Sequence, residues 1–128
     1  MKGLVPVDSS AWIEAERSGG DPGIASRLEA LIHAGLAAMT GPVWTELFQG
    51  IRGKREEARL EVTRSLCVRL EFDAACWQQA AGSARSCPRA GVNVPFGDVL
   101  VDACARRHAV ELLERDRHFA MIAKAVKE

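Results

Sequence analysis

Residues 95–119 read PFGDVLVDACARRHAVELLERDRHF. The stretch reads as a helix from about Gly97 to His108 carrying Asp98, a short turn, a buried strand at Val110–Leu113, and Asp116 where that strand ends. A strand followed by a helix buries its hydrophobic faces best in a layered α/β arrangement. Asp98 and Asp116, 18 positions apart, would then meet at one end of a sheet.

The chain upstream repeats the alternation. Gly3–Val7 is a short apolar run suited to a buried parallel strand, with Pro6 as a discordant residue because it lacks a ladder donor. Asp8 stands at its carboxyl end, and Ser9 and Ser10 open a helix near Ala11–Arg17. Asp21-Pro22 starts a helix that runs to about Ala34 and closes at Gly35. Leu36–Thr40 is a second strand. Gly41-Pro42 starts another helix that carries Glu46, and Lys54–Ser65 forms a charged, solvent-facing one. Cys67–Leu70 is a third strand, and Asp73 caps a helix through about Ser83. Ser86–Asn93, with proline and glycine, reads as a loop. Arg117–Lys124 is a last short helix, and the final AVKE either adds an edge strand or stays loose. Strands alternating with helices imply βαβ units, a mainly parallel sheet and helices on both faces. Functional residues of such sheets gather beyond the carboxyl ends of the strands, where Asp8, Asp116 and Glu46 fall.

Bulk properties set the bounds. A length of 128 residues fits a single domain, residues 1–128, and 48% hydrophobic content fills one core. The 17 basic and 17 acidic side chains cancel, so net charge predicts neither nucleic-acid nor membrane binding. No apolar run reaches the roughly 18–20 residues of a membrane span, and MKGLVPVDSS is too short for a secretory signal, which points to the cytoplasm. Cys67, Cys76, Cys87 and Cys104 contain no CxxC pair, which argues against zinc; Cys67 and Cys104 read as small core residues.

Asp8, Glu46, Asp98 and Asp116 can converge in one cleft. Clustered carboxylates repel, and like charge with desolvation would leave some protonated. A divalent cation removes that conflict, and oxygen-only ligands favour Mg²⁺ or Mn²⁺ over zinc. Such an ion activates water for attack on a phosphodiester. A receiver-like phosphoryl-transfer domain fits less well, since Asp8-Ser9-Ser10 lacks a second aspartate nearby.

The segments VDSSAWIE at 7–14, TELFQG at 45–50, FGDVLVDACA at 96–105 and LLERDRHF at 112–119 resemble the motifs of PIN-domain ribonucleases, and more narrowly those of VapC-type toxins of bacterial toxin–antitoxin pairs. The resemblance spans nearly the whole chain. It implies a three-layer α/β/α sandwich around a mainly parallel sheet, and an acidic pocket that binds Mg²⁺ or Mn²⁺ and cleaves RNA with a metal-activated water. Asp8, Glu46, Asp98 and Asp116 are the acids carried over by motif position, and Ser9 matches a small hydroxyl position that would hold Asp8 or a metal-bound water. Glu114 stands where threonine or serine is common, His118 where another acid is frequent, and Asp102 where a small apolar residue is usual. Asp102, one turn from Asp98, either touches the pocket or meets solvent or an arginine. The departure at Glu114 leaves room for a non-catalytic module that binds RNA or protein.

Candidate phosphate contacts are Arg106, Arg107, Arg115 and Arg117, with Arg52, Lys54 and Arg55 after the Glu46 helix. Trp12 and Trp44 are placed either to stack on a base or to pack in the core or an interface. The resemblance further implies a homodimer and a VapB-like antitoxin, held in a groove formed by the helix from Ser9 and the helices of 42–65, with a basic antitoxin side chain entering the acidic pocket.

Overall fold

A computed structural model of the chain describes residues 3–126. The elements run β1 (Val5–Pro6), α1 (Ser9–Glu16), α2 (Pro22–His33), β2 (Ala37–Met39), α3 (Gly41–Gln49), α4 (Lys54–Ser65), β3 (Val68–Arg69), α5 (Ala74–Arg89), α6 (Phe96–His108) and α7 (His118–Val126). The expected alternation is present, with a smaller sheet and more helix than the sequence suggests.

The strands pair in parallel in the order β1-β2-β3, with Val5 opposite Ala37 and Ala38 opposite Val68. The expected strand at Val110–Leu113 shrinks to one parallel bridge, Leu113 to Val7, on the free side of β1. Pro6 supplies the reason. Leu113 N donates to Pro6 O and Asp8 N donates to Leu113 O, both at 2.9 Å. The next rung would need an N–H from residue 6 on that side, and proline has none. Val5 and Val7 face the other way and donate to Leu36 O and Ala38 O of the β2 segment.

Two further expectations are corrected. Residues 86–89 are not loop: α5 continues through Pro88 to Arg89 because Cys76, Ala80, Ser83 and Cys87 form one buried stripe at helical spacing. Proline in the last turn forfeits one helical bond, which that burial outweighs. Ala125 and Val126 are helical and not an edge strand, while Lys127 and Glu128 lie outside the described residues.

Capping follows the sequence. Asp8, Asp21 and Asp73 each accept a backbone N–H at the start of α1, α2 and α5. The end of α6 departs from the usual glycine. Ala109 holds φ 54°, the only non-glycine residue at positive φ among the described residues. Ala109 N donates to Arg106 O and Val110 N to Ala105 O, the paired bonds of a left-handed helix terminus.

Both faces of the small sheet are covered, as expected of a three-layer α/β/α arrangement. Val5, Val7, Ala37 and Met39 enter the larger core with Trp12, Leu28, Val99 and Ile122. Leu4 and Ala38 enter a second core with Leu70, Cys76 and Cys104. Helix α1 packs on α2, and α5 packs on α6 and α7. No helix among the described residues is long and apolar enough to cross a membrane.

Candidate active site

From β1 the chain winds in one direction to β2 and β3, then returns to the opposite side of β1 at Leu113. The gap between Val7 and Leu113 is therefore a topological switch point, where loops on the carboxyl side of the sheet diverge and leave a crevice. Asp8 follows β1 directly, and Asp116 follows Leu113 by three residues. Helix α6 brings Asp98 in its first turn, and α3 brings Glu46. The amino ends of α1, α6 and α7 point toward this crevice through Asp8, Asp98 and Asp116, so helix dipoles offset part of the carboxylate repulsion.

The hydroxyls are distributed differently from expectation. Ser9 Oγ donates to Glu46 Oε1 at 3.2 Å, so Ser9 holds Glu46 and not Asp8. Ser10 does the latter: its N–H and hydroxyl donate to Asp8 Oδ2 at 3.0 and 2.5 Å. Ser10 Oγ also accepts from Arg115 N at 3.0 Å, which ties the Asp116 loop to α1. Glu114 accepts from Asp116 N at 2.8 Å, the i to i+2 bond that a serine or threonine hydroxyl makes in a turn.

His118, which stands where another acid is frequent, enters the site through its imidazole. Its Nδ1 lies 2.9 Å from both Asp98 Oδ2 and Asp116 Oδ1, and its backbone N–H donates to Asp116 Oδ1 at 2.9 Å. Asp98, Asp116 and His118 each offer a ligand atom within 4.8 Å of the others. The sequence marks His118 as that departure; the structure adds that α7 starts at His118 and turns the imidazole back onto the two carboxylates. The group of side chains gathered here is therefore mixed oxygen and nitrogen.

The electrostatics are those of a crowded anionic pocket. Asp8 is 1% exposed and Asp98 6% exposed. Burial raises the Asp8 carboxyl above its ordinary range, against the lowering bonds from Ser10, and the Asp116 charge raises it further. Burial also raises Glu46, with Asp8 and Asp116 adding to it and Ser9 opposing. Asp98 is pushed up to about 6 by burial and by Asp116 and Asp8, with His118 opposing. Asp8 Oδ1 is buried without a hydrogen-bond partner among the described residues. A buried carboxylate oxygen without a donor is costly, and a cation beside it would remove the cost. The chemistry of these crowded, buried carboxylates thus fits a divalent ion.

Gly97 makes room for Glu46. A Cβ at Gly97 would lie 2.6 Å from Glu46 Oε2. The structure does not bring Asp102 into this group. Asp102 is 7% exposed and accepts from Arg106 Nε at 2.6 Å, so it meets an arginine and neither the pocket nor open solvent. Arg106 is therefore committed to Asp102. Arg115 and Arg117 are exposed, with Arg115 3.6 Å from Asp21. Trp12 is buried in the larger core, and Trp44 lies half-buried beneath Arg64, whose guanidinium is 4.4 Å from the ring centroid.

Residues 5–125 match the model of the PIN domain family. The chain is 31% identical over 124 residues to VapC ribonuclease Mb1587 of Mycobacterium bovis and, equally, to Ribonuclease VapC11 of Mycobacterium tuberculosis, spanning 94% of this chain and 92% of each relative. Among solved structures, FitAcB from Neisseria gonorrhoeae superposes with a TM-score of 0.77 at 20% identity, covering 95% of this chain and 94% of that one. VapBC2 from Rickettsia felis, bound to a DNA fragment from its promoter, superposes with a TM-score of 0.69 at 15% identity, covering 85% and 84%. These structural likenesses show the fold, and the family match and the sequence relatives show the lineage: the chain belongs to the PIN-domain family and stands, within it, among the VapC ribonucleases.

Proposed function

We propose that the chain is the toxin of a toxin–antitoxin pair, a divalent-metal-dependent endoribonuclease of the cytoplasm. The convergence of Asp8, Glu46, Asp98 and Asp116 at the switch point, with Asp8 Oδ1 buried and unpaired, carries the reading. Asp8, Asp98 and Asp116 would hold Mg²⁺ or Mn²⁺, with His118 Nδ1 at the same position. When bound, such an ion would supply Lewis-acid activation of water and charge neutralisation at a phosphate. Ser10 fixes Asp8, Ser9 fixes Glu46, and Glu114 shapes the turn that presents Asp116. Glu46, raised by burial and by Asp8, is placed to take up a proton near the ion. Arg115 and Arg117, exposed beside Asp116, are the phosphate contacts; Arg106 is a weaker candidate because Asp102 holds it.

A cleft of about 380 Å³ lies between α1, α3 and α4, lined by Ile13, Leu47, Leu60, Ser9 and Glu46 among others. Ile13 is 59% exposed there. An apolar groove that opens beside Glu46 suits an amphipathic antitoxin segment of the VapB type, whose basic side chain would enter the acidic pocket. The same reading makes the chain a homodimer.

The test is cleavage of total RNA by the purified chain with Mg²⁺ or Mn²⁺, comparing the parent with Asp8→Asn and Asp98→Asn variants of native circular dichroism. Cleavage is expected to need the ion and to fall by at least about a hundredfold in either variant. Undiminished cleavage by folded variants would overturn the assignment of the pocket.

A further inference from the structure

The second core holds a cluster that the acidic pocket does not use. Cys76, in the first turn of α5, and Cys104 and His108, one turn apart near the end of α6, bring two sulfurs and an imidazole nitrogen within 4.8 Å of one another. The carbonyl of Glu71, on the segment between β3 and α5, sits among them. Cys76 Sγ and Cys104 Sγ are each 3.7 Å from Glu71 O, His108 Nε2 is 2.8 Å from it, and Cys76 Sγ is 3.8 Å from His108 Nε2.

This arrangement is poorly explained as hydrogen bonding. A carbonyl oxygen offers two lone pairs, and three donor groups are aimed at this one. As the corners of a tetrahedron the same atoms fit well. Bond lengths of about 2.3 Å to sulfur and 2.0–2.1 Å to nitrogen or oxygen give edges of roughly 3.5–3.8 Å where sulfur is involved. The sulfur edges to Glu71 O, both 3.7 Å, and from Cys76 Sγ to His108 Nε2, 3.8 Å, fall in or near that range, and the nitrogen–oxygen edge at 2.8 Å must open. The two remaining edges, from Cys104 Sγ to Cys76 Sγ and to the imidazole, lie within 4.8 Å.

The surroundings suit ligation. Both thiols are 0% exposed. Cys76 N donates to Asp73 Oδ1 at 3.0 Å, which fixes the start of α5 beside the cluster. Burial pushes both thiols up, Cys104 to about 12, so they rest neutral and a bound cation would drive their deprotonation. Arg107 reaches Asp73 Oδ2 at 3.3 Å, bracing the α5 cap against α6. His108 is only half-buried, which leaves a path from solvent. Asp98 and His108, ten positions apart on α6, are separated by about 15 Å along the helix, so the cluster is distinct from the acidic pocket.

We propose that Cys76, Cys104 and His108, with the Glu71 carbonyl at the fourth corner, form a structural site for a thiophilic divalent cation of the Zn²⁺ class. On binding, each thiol releases its proton to solvent and the ion carries the two thiolates. The ion would clamp the start of α5 to the end of α6 and to the segment after β3. The absence of a CxxC pair does not bear on this site, because its ligands come from separate elements and only Cys104 and His108 share helical spacing.

The experiment uses the full chain, reduced and stripped with chelator, titrated with Co²⁺ alone and then with Zn²⁺ in competition. A thiolate-to-cobalt charge-transfer band that saturates at one equivalent and is erased by Zn²⁺ is expected. It should persist in Asp98→Asn and vanish in Cys104→Ala. His108→Ala keeps both thiols and changes only a half-buried side chain, so it covers the case in which Cys104→Ala does not fold; it should weaken Co²⁺ binding at least about tenfold. Absence of the band, its survival in a Cys76→Ala, Cys104→Ala double variant, or cobalt binding that His108→Ala leaves unchanged would each overturn the site. So would a Cys76–Cys104 disulfide by mass in unreduced protein that, once reduced, retains no metal.

Discussion

Gly97 shows how closely the acidic pocket is fitted at the scale of one residue. The space a methyl group would need is taken by the Glu46 carboxylate, 2.6 Å from the position of a Cβ. Gly97→Ala is expected to swing that carboxylate away and lower RNA cleavage about tenfold or more. Melting temperature should hold or rise, since alanine favours the helix by up to about 1 kcal/mol. Asp98 gives a second expectation. Its carboxyl sits at about 6 in the folded chain against an ordinary 3.8, chiefly through burial. A folded value raised above the unfolded one means that the associated stability is fully present below about 3.8 and is lost as pH rises through about 6. Asp98→Asn removes that penalty. In chelated buffer it should therefore exceed the parent by about 1–3 kcal/mol in urea unfolding at pH 7.5, with the gap closing toward pH 4. A gap that stays constant over this range would refute the electrostatic account. The four acids are legible in sequence because each follows a strand or opens a helix that the topology gathers at one edge. The choice of Ser10 over Ser9 for Asp8 is not legible, since adjacent hydroxyls differ only in the direction α1 gives them. His118 is legible as a departure at an acid position, but its contact with both Asp98 and Asp116 depends on the direction α7 gives the ring.

Among the elements, α6 does the most to unite the molecule, with Asp98 at its start and Cys104 and His108 at its end. Its termination at Ala109, φ 54°, places a β-carbon where glycine is preferred. Ala109 is exposed, so Ala109→Gly should disturb no packing and should stabilise the chain by about 0.5–1 kcal/mol in denaturant unfolding. The helices were readable from caps and spacing: Asp21-Pro22 and Asp73 mark true starts. Proline misleads in both places where it matters. Pro88 suggests a break that the buried stripe of α5 overrides, and Pro6 sits inside β1 yet keeps the segment before Leu113 from becoming a full strand. Local propensity sees the missing donor, but only the tertiary arrangement decides whether a partner needed it.

For the whole molecule, the parallel order and the return of the chain across β1 fix where the acids gather, and the two cores fix the helices on either face. The alternation of elements conveys that architecture. The small extent of the sheet is not apparent, because short apolar runs do not reveal how many rungs their backbones complete. One seam has a dynamic consequence. The segment through Leu113 is joined to β1 by the bonds to Pro6 O and from Asp8 N, and to α1 by Arg115 N on Ser10 Oγ. So sparse a junction should open locally at a lower free energy than global unfolding. Such opening would carry Asp116 away from Asp8 while the helices stay folded. A cation shared across the junction opposes it, so Mn²⁺ or Mg²⁺ should slow hydrogen exchange at the Asp8 and Leu113 amides at least about tenfold and leave the middle of α2 unchanged. Unaltered exchange at both amides under saturating ion would count against a cation spanning the junction. The amides of Asp8 and Leu113 thus become occupancy gauges, reporting how often the two halves of the acidic pocket part company.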